Sequence, residues 1–172
     1  GVISLASLSD PRIEALRAGM RERGHIEGTS ISMDWRSADG YADRLPALAG
    51  ELVRLKPALI VAAQTQAISA TKRATSRIPI VFVGTPDPVS SGFVNSLSRP
   101  GGNLTGLSSS AADLGPKQIE ILRSALPQCS RVAFLANPSN NASAAVRKAI
   151  ATAAQEMKLQ ILSLDAENLQ EI

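Results

Sequence analysis

Apolar strand-like runs alternate with helix-like segments along the whole chain, and this alternation constrains its fold more than any other feature. The runs at residues 2–6, 58–63, 78–83, 131–136 and 159–164 are each followed or preceded by segments with apolar residues at helical spacing. Continuous apolar strands indicate burial on both faces, as in parallel sheets covered by helices. The alternation predicts an α/β fold, with a Rossmann-like parallel sheet, helices on both faces and right-handed crossovers.

The first helix and the second strand carry local signals. Asp10 and Pro11 are a typical N-cap and first helical residue, and Gly24 is placed to end the same helix. Apolar residues alternate with polar ones at residues 31–35, which predicts a strand with one wetter face at a sheet edge. Trp35 is in phase with the apolar residues of this strand, so we expect it in the core.

A connector of small residues, 108–113 (SSSAAD), predicts a domain boundary. Five predicted strands precede it, at residues 2–6, 31–35, 58–63, 78–83 and 104–107, enough for a complete first lobe at residues 1–107. The second part, residues 108–172, supplies only a helix, a strand, a helix and a strand. We therefore expect the start of a second, incomplete lobe.

The chain opens on Gly1 without a signal peptide, and we expect a sequence trimmed at both ends, so a secretion signal is not excluded.

Composition excludes several classes of function. A single cysteine, Cys129, and a single histidine, His25, cannot form a multi-cysteine zinc site or a metal cluster. The net charge is only +3 and basic residues are scattered among acids, so no nucleic-acid partner is expected. No phosphate-loop, GxGxxG or GxSxG pattern is present. We predict a protein that is not an enzyme and holds no cofactor or metal, and no apolar run is long enough to span a membrane.

Ligand contacts in parallel-sheet proteins lie in loops at the carboxyl ends of strands. After the first strand, Ser7 and Ser9 are candidate contacts or ordinary helix caps. After the 58–63 strand, Gln64 is a candidate donor and acceptor or a solvated side chain. Thr65 either caps the next helix or binds ligand. These four residues are one part of the first lobe's predicted contribution to a site.

Two further loops supply the remaining candidates. Thr85 and Asp87 follow the 78–83 strand, and Asp87 stands between two prolines. Its carboxylate either binds an ammonium group or stabilises its own turn. Asn137, Ser139 and Asn140 follow the 131–136 strand as uncharged hydrogen-bonding groups, and either Ser139 or Asn140 is alternatively an N-cap.

Several segments form an ordered set along the chain, at residues 20–28 (MRERGHIEG), 41–56 (YADRLPALAGELVRLK), 78–88 (IPIVFVGTPDP) and 99–106 (RPGGNLTG), continued by SRVAFLANP at 130–138. This set resembles the family of ABC-transporter substrate-binding proteins that includes the tryptophan-binding TrpX-like proteins. The resemblance covers essentially the whole chain, and the ordered set rather than any single motif makes it specific.

The resemblance implies two Rossmann-like lobes of the type I periplasmic-binding fold, which close over a small ligand in the cleft between them. It implies a periplasmic or extracellular protein, lipid-anchored in some members. Such a protein delivers a small polar ligand, such as an amino acid, to an ABC permease in the membrane and is monomeric at full length. The family's ligand contacts correspond to the loops already selected. The alternative is the ligand-sensing domain of a transcription regulator, which shares the fold.

Overall fold

The computed structural model describes residues 1–109, 111–138, 142–166 and 171, and the chain divides into two compact units. The first unit comprises Gly1–Gly84 and Phe93–Leu107, and the second comprises Thr85–Gly92 and Ser108–Ile172. Each unit has its own sheet and its own hydrophobic cluster.

A five-stranded sheet organises the first unit, and its strand order is β2-β1-β3-β4-β5. Strands β1 to β4 are parallel, with Val2 opposite both Trp35 and Val61, and with Ala63 opposite Val83. The predicted Rossmann-like parallel sheet is confirmed. The elements are β1 (Val2–Ser4), α1 (Pro11–Glu22), β2 (Trp35–Ser37), a 3-10 turn (Ala42–Arg44), α2 (Leu45–Arg54), β3 (Ile60–Ala63), α3 (Thr65–Ala74), β4 (Ile80–Thr85) and β5 (Leu104–Ser108).

The chain direction across this sheet places helices on both faces. From β1 to β2 the chain moves toward one edge of the sheet, and from β2 to β3 and from β3 to β4 it moves toward the opposite edge. Since crossovers are right-handed, α1 lies on one face while α2 and α3 lie together on the opposite face. The α2 residues Leu45, Ala49 and Leu52 are fully buried in the resulting core.

Helix α1 begins as predicted. Asp10 is its N-cap, accepting a hydrogen bond from the backbone N–H of Arg12, and Pro11 is its first residue. The helix ends at Glu22, and Gly24 follows in the left-handed conformation, with φ +80°. Because a left-handed residue after the last turn is typical of helix ends, the glycine has its expected role.

The edge strand differs from the prediction. Strand β2 begins at Trp35 rather than at residue 31, and Trp35 is half-buried and lies outside the core cluster. The prediction of Trp35 as a core residue is wrong. Its strand lies at the sheet edge, where the Arg17 guanidinium stacks 4.3 Å from the ring centroid. Its indole nitrogen donates to Glu27 at 2.7 Å. A partly exposed aromatic side chain whose polar atom is hydrogen-bonded suits an edge position.

The second unit contains α4 (Ala111–Ala125), β6 (Arg131–Ala136), α5 (Ala142–Glu156) and β7 (Gln160–Asp165). The two strands are parallel, and both helices pack on the face that carries Val132, Phe134 and Ile161. The other face is open, with Leu135 49% exposed. The prediction of residues 131–136 as a strand buried on both faces is wrong, because the described helices cover one face only.

Candidate functional site

The strand order places a topological switch point between β1 and β3. The chain leaves β1 for β2 on one side, then crosses back to β3 on the other side. The loops that follow β1 and β3 therefore turn to opposite faces of the sheet and leave a crevice between them, where α/β proteins bind ligands. The predicted residues Ser7, Ser9, Gln64 and Thr65 all lie in these two loops.

The loop after β1 presents two exposed hydroxyls. The side-chain oxygens of Ser7 and Ser9 are 3.1 Å apart, and the Ser7 carbonyl accepts from the N–H of Asp10 at 3.0 Å. Asp10 itself caps α1, so the two serines are not needed as its caps. The alternative of an ordinary helix cap therefore does not describe either serine, and both hydroxyls face solvent.

Gln64 connects the two loops at the switch point. Its side-chain oxygen accepts from the backbone N–H of Leu5 at 2.9 Å and from the hydroxyl of Ser4 at 3.2 Å. Its own backbone N–H donates to Val83 on β4 at 2.9 Å. The alternative of a solvated glutamine is therefore excluded, since the side chain spans 59 residues of sequence to reach Leu5.

Thr65 is the first residue of α3 and is only 3% exposed. Gln64 occupies the N-cap position and makes no side-chain hydrogen bond to the helix. Thr65 follows it as the first helical residue, so the predicted alternative of Thr65 as the helix cap is wrong. The first backbone N–H groups of any α-helix lack partners within the helix and favour negative charge. Those of α3 begin at the carboxyl edge of the sheet.

Three residues that shape this edge, Ser4, Ser37 and Asp39, were not predicted from the sequence. Ser4, which is 2% exposed, accepts from the N–H of Ala6 at 3.1 Å as well as donating to Gln64. At the end of β2, the Ser37 hydroxyl lies 3.0 Å from the carbonyl of Ala6 and 2.6 Å from a carboxylate oxygen of Asp39. A hydroxyl within an otherwise apolar strand, and small polar residues just after a strand, were the available signals.

Thr85 and Asp87 lie in the second unit. Thr85 is fully buried, and its hydroxyl is the one buried side-chain oxygen that lacks a hydrogen-bond partner in the described part of the chain. A carboxylate oxygen of Asp87 accepts from the N–H groups of Val89 at 3.0 Å and Ser90 at 2.9 Å. Hydrogen bonding to Ser90 is the main reason that the pKa of Asp87 is lowered. The turn-stabilising role considered for Asp87 is therefore present.

The loop after β6 is described only in part. The Asn137 carbonyl accepts from the Ser143 hydroxyl at 3.1 Å, while Ser139 and Asn140 lie outside the described residues. An open hollow of about 600 Å³ adjoins this loop within the second unit. Its lining includes Pro138, Ser143, Arg147, Lys148 and Asp165, and Arg147 forms an ion pair with Asp165.

The described residues add two further observations. No helix among them is both long and apolar enough to cross a membrane. Over the same residues, no three histidine, cysteine or acidic side chains come together as a set that could hold a metal ion. The remaining chemistry of the crevice is that of hydroxyls, one carboxamide and backbone N–H groups, which suits hydrogen bonding to a polar ligand.

Comparison with known proteins adds a family and several relatives. A family model described as "ABC transporter substrate binding protein" matches residues 3–172. A tyrosine-binding protein of Clostridioides difficile (strain R20291) is 30% identical over 120 residues, which are 70% of this chain and 34% of the relative.

Two solved structures are similar over nearly the whole chain. A conserved domain protein from Vibrio cholerae O1 biovar El Tor has a TM-score of 0.85 at 25% identity, covering 97% of this chain and 56% of that one. An ABC domain from Streptococcus pneumoniae in complex with L-Trp has a TM-score of 0.87 at 21% identity, covering 100% of this chain and 58% of that one. The chain thus spans about a third to somewhat over half of the length of these relatives.

Proposed function

The chain belongs to the family of ABC transporter substrate binding proteins, and from that premise we propose that it binds a free amino acid at the carboxyl edge of its five-stranded sheet. The observation that carries the proposal is the switch point between β1 and β3, with Ser7, Ser9 and Gln64 around it. A crevice of this kind is where open α/β sheets bind ligands.

The polar groups at the switch point match the two ends of an amino acid. The first N–H groups of α3 are suited to a carboxylate, because they lack partners within the helix and carry partial positive charge. The exposed hydroxyls of Ser7 and Ser9 can accept hydrogen bonds from an ammonium group. In this proposal Thr65 supplies a further contact within the first unit, while Thr85, Asp87, Asn137, Ser139 and Asn140 stay predictions from the sequence.

The names of two relatives support an aromatic side chain on the ligand. One relative is called a tyrosine-binding protein and another structure contains L-Trp. We therefore expect L-tyrosine or L-tryptophan to bind more tightly than an aliphatic amino acid.

The role that fits this family is the solute-binding component of an importer. We propose that the protein works outside the cytoplasmic membrane, in the periplasm or at the cell surface through a lipid anchor. It hands its ligand to an ABC permease, without nucleic acid or cofactor. At full length it is expected to be a monomer and to have no catalytic activity.

Calorimetry on the full-length protein tests the proposal directly. L-tyrosine, L-tryptophan and L-leucine are titrated in parallel, and a Kd on the order of micromolar or tighter is expected for one of the aromatic ligands. A thermal shift that grows with ligand concentration gives an independent check, since a ligand bound only to the folded state stabilises it.

A pair of variants locates the site. Ser7→Ala combined with Ser9→Ala is expected to weaken binding by about tenfold, since each lost hydrogen bond is worth roughly 0.5–1.5 kcal/mol. Ser124→Ala is the matched control, because Ser124 is an exposed serine on α4. The absence of heat and of a thermal shift with all three amino acids at millimolar concentration would reject amino-acid binding. Equal effects of the two sets of variants would reject the location.

A further inference from the structure

We propose that Gln64 is a positioning residue, which orders the loop after β1 before the ligand arrives and acts through Leu5 and Ala6 rather than by touching the ligand. The proposal rests on the proposed function, since the loop that Gln64 holds is the one that carries Ser7 and Ser9. It departs from the simpler expectation that the carboxamide itself binds ligand.

The backbone of Gln64 is the first observation. Its φ of +71° and ψ of 150° lie in a region that glycine adopts easily and that other residues populate only under strain. The conformation is fixed by two backbone hydrogen bonds, from the Gln64 N–H to Val83 at 2.9 Å and from the Ile68 N–H to the Gln64 carbonyl at 3.0 Å. A glycine would satisfy both bonds without strain, so the backbone alone gives no reason for a glutamine.

The side chain supplies the reason. Its Oε1 accepts from the Leu5 N–H at 2.9 Å and the Ser4 hydroxyl at 3.2 Å, with the Ala6 N–H farther away at 3.4 Å. A carboxamide oxygen has two lone pairs, so the two shorter contacts fill it. Gln64 therefore uses its acceptor fully on the β1 loop.

The same two loop residues are also held from the opposite side. The Leu5 carbonyl accepts from the Gly40 N–H at 2.7 Å, and the Ala6 carbonyl accepts from the Ser37 hydroxyl at 3.0 Å. Leu5 and Ala6 are thus fixed between the loops after β2 and β3. Ser7 follows directly, so its hydroxyl starts from an anchored peptide.

Removal of the Gln64 acceptor leaves the Leu5 N–H without its partner and releases one side of the loop. A loop that is disordered in the free protein must be ordered on binding, and that entropy is subtracted from the affinity. The expected effect is weaker binding with little change in the contacts of the bound state.

Three substitutions at one position test this proposal. Gln64→Met keeps length but removes the acceptor. Gln64→Glu keeps the acceptor. Gln64→Gly removes the side chain and relieves the backbone strain. We expect calorimetry with L-tyrosine and L-tryptophan to show roughly tenfold weaker binding for Gln64→Met and Gln64→Gly, and Gln64→Glu to stay within about threefold of the parent. Gln64→Gly is expected to have a melting temperature no lower than that of Gln64→Met, because it relieves the backbone strain. A loss of affinity in Gln64→Gly would then not be due to a loss of stability.

Amide hydrogen exchange in the ligand-free protein gives the second measurement. The N–H of Leu5, which donates directly to Gln64, is expected to exchange at least about tenfold faster in Gln64→Met than in Gln64→Glu, while the core amides of α2 stay unchanged. The N–H of Ala6 donates to the Ser4 hydroxyl at 3.1 Å and is expected to change less. This readout needs no ligand, so it remains decisive for the ordering of the loop even where neither amino acid binds and the proposed function fails. Unchanged exchange at Leu5 would overturn the proposal. A loss of affinity that Gln64→Glu shares with Gln64→Met would also overturn it, and would indicate direct ligand contact.

Discussion

Two buried threonines give a matched test of what an unpartnered hydroxyl costs this fold. Thr85 and Thr71 are both 0% exposed. The Thr71 hydroxyl donates to the Ala67 carbonyl at 2.8 Å, whereas the Thr85 hydroxyl has no partner in the described part of the chain. The same Thr→Val change, which replaces a hydroxyl by a methyl group of similar size, therefore removes a satisfied group at one position and an unsatisfied group at the other.

The two substitutions are expected to change the free energy of unfolding in opposite directions. A buried polar group without a partner costs roughly 1–3 kcal/mol, so Thr85→Val is expected to stabilise the protein by about 1–2 kcal/mol. Thr71→Val loses a hydrogen bond worth about 1 kcal/mol net, and is expected to destabilise the protein by about 0.5–1.5 kcal/mol. The difference between the two variants is about 2 kcal/mol.

Urea unfolding followed by far-ultraviolet circular dichroism measures both values, and the single tryptophan, Trp35, reports on the first unit by its fluorescence. If Thr85 also contacts the ligand, as the sequence predicts, Thr85→Val raises stability and weakens binding in the same protein. A Thr85→Val variant that is destabilised as much as Thr71→Val would refute the reasoning, because the hydroxyl would then have a favourable role in the unliganded fold.

Three other perturbations have distinct expected outcomes. Gly106→Ala places a Cβ 2.0 Å from the Phe82 carbonyl oxygen on the neighbouring strand, so urea unfolding is expected to show a loss of about 2–4 kcal/mol in the free energy of unfolding. Gly102→Ala is the control, because the space around Gly102 is open and its free energy of unfolding is expected to change little. Equal losses in the two variants would contradict the strand contact. Asp10 has its pKa lowered from 3.8 to about 2, chiefly by the side-chain hydrogen bond from Arg12. The Asp10 carboxylate therefore contributes to stability above pH 3.8, and this contribution is lost as the pH falls toward about 2. The difference in melting temperature between the parent and Asp10→Ala should close over that range. A difference that stays constant down to pH 2 would contradict this linkage. Asp87→Asn keeps an acceptor for the turn but removes the charge, and the lowered pKa of Asp87 means that the charged form favours the fold, so a small loss of melting temperature is expected. Ligand binding is expected to weaken as well if the carboxylate pairs with an ammonium group, and unchanged affinity in calorimetry would leave it only its turn role.

The parts of the fold that depend on local pattern were predictable. The apolar runs and the helical spacing identified the strands and helices of both units, and the cap signals at Asp10 and Pro11 fixed the start of α1. The errors occurred at edges. The alternation at residues 31–35 correctly predicted an edge strand, but it did not show that Trp35 on that strand would be half-buried and outside the core cluster.

The sequence predicted which loops form the candidate site, but it did not predict how their side chains contact one another. The rule that ligands bind at the carboxyl ends of strands selected Ser7, Ser9, Gln64 and Thr65, and the structure places all four around one switch point. The role of each side chain did not follow from that rule. Ser37, the last residue of β2, was overlooked because its partner Ala6 belongs to the loop after another strand.

The sequence by itself determined that this chain alternates strands with helices, that its strands are parallel and that its polar loops gather at one edge. These properties follow from short-range periodicity and from residue type. The tertiary structure alone decided that β1 lies between β2 and β3, that a crevice therefore opens beside β1, and that Gln64 reaches back 59 residues to hold Leu5. The physical reason is that strand order and side-chain partners depend on packing between distant segments, and local periodicity is the same whichever strands become neighbours.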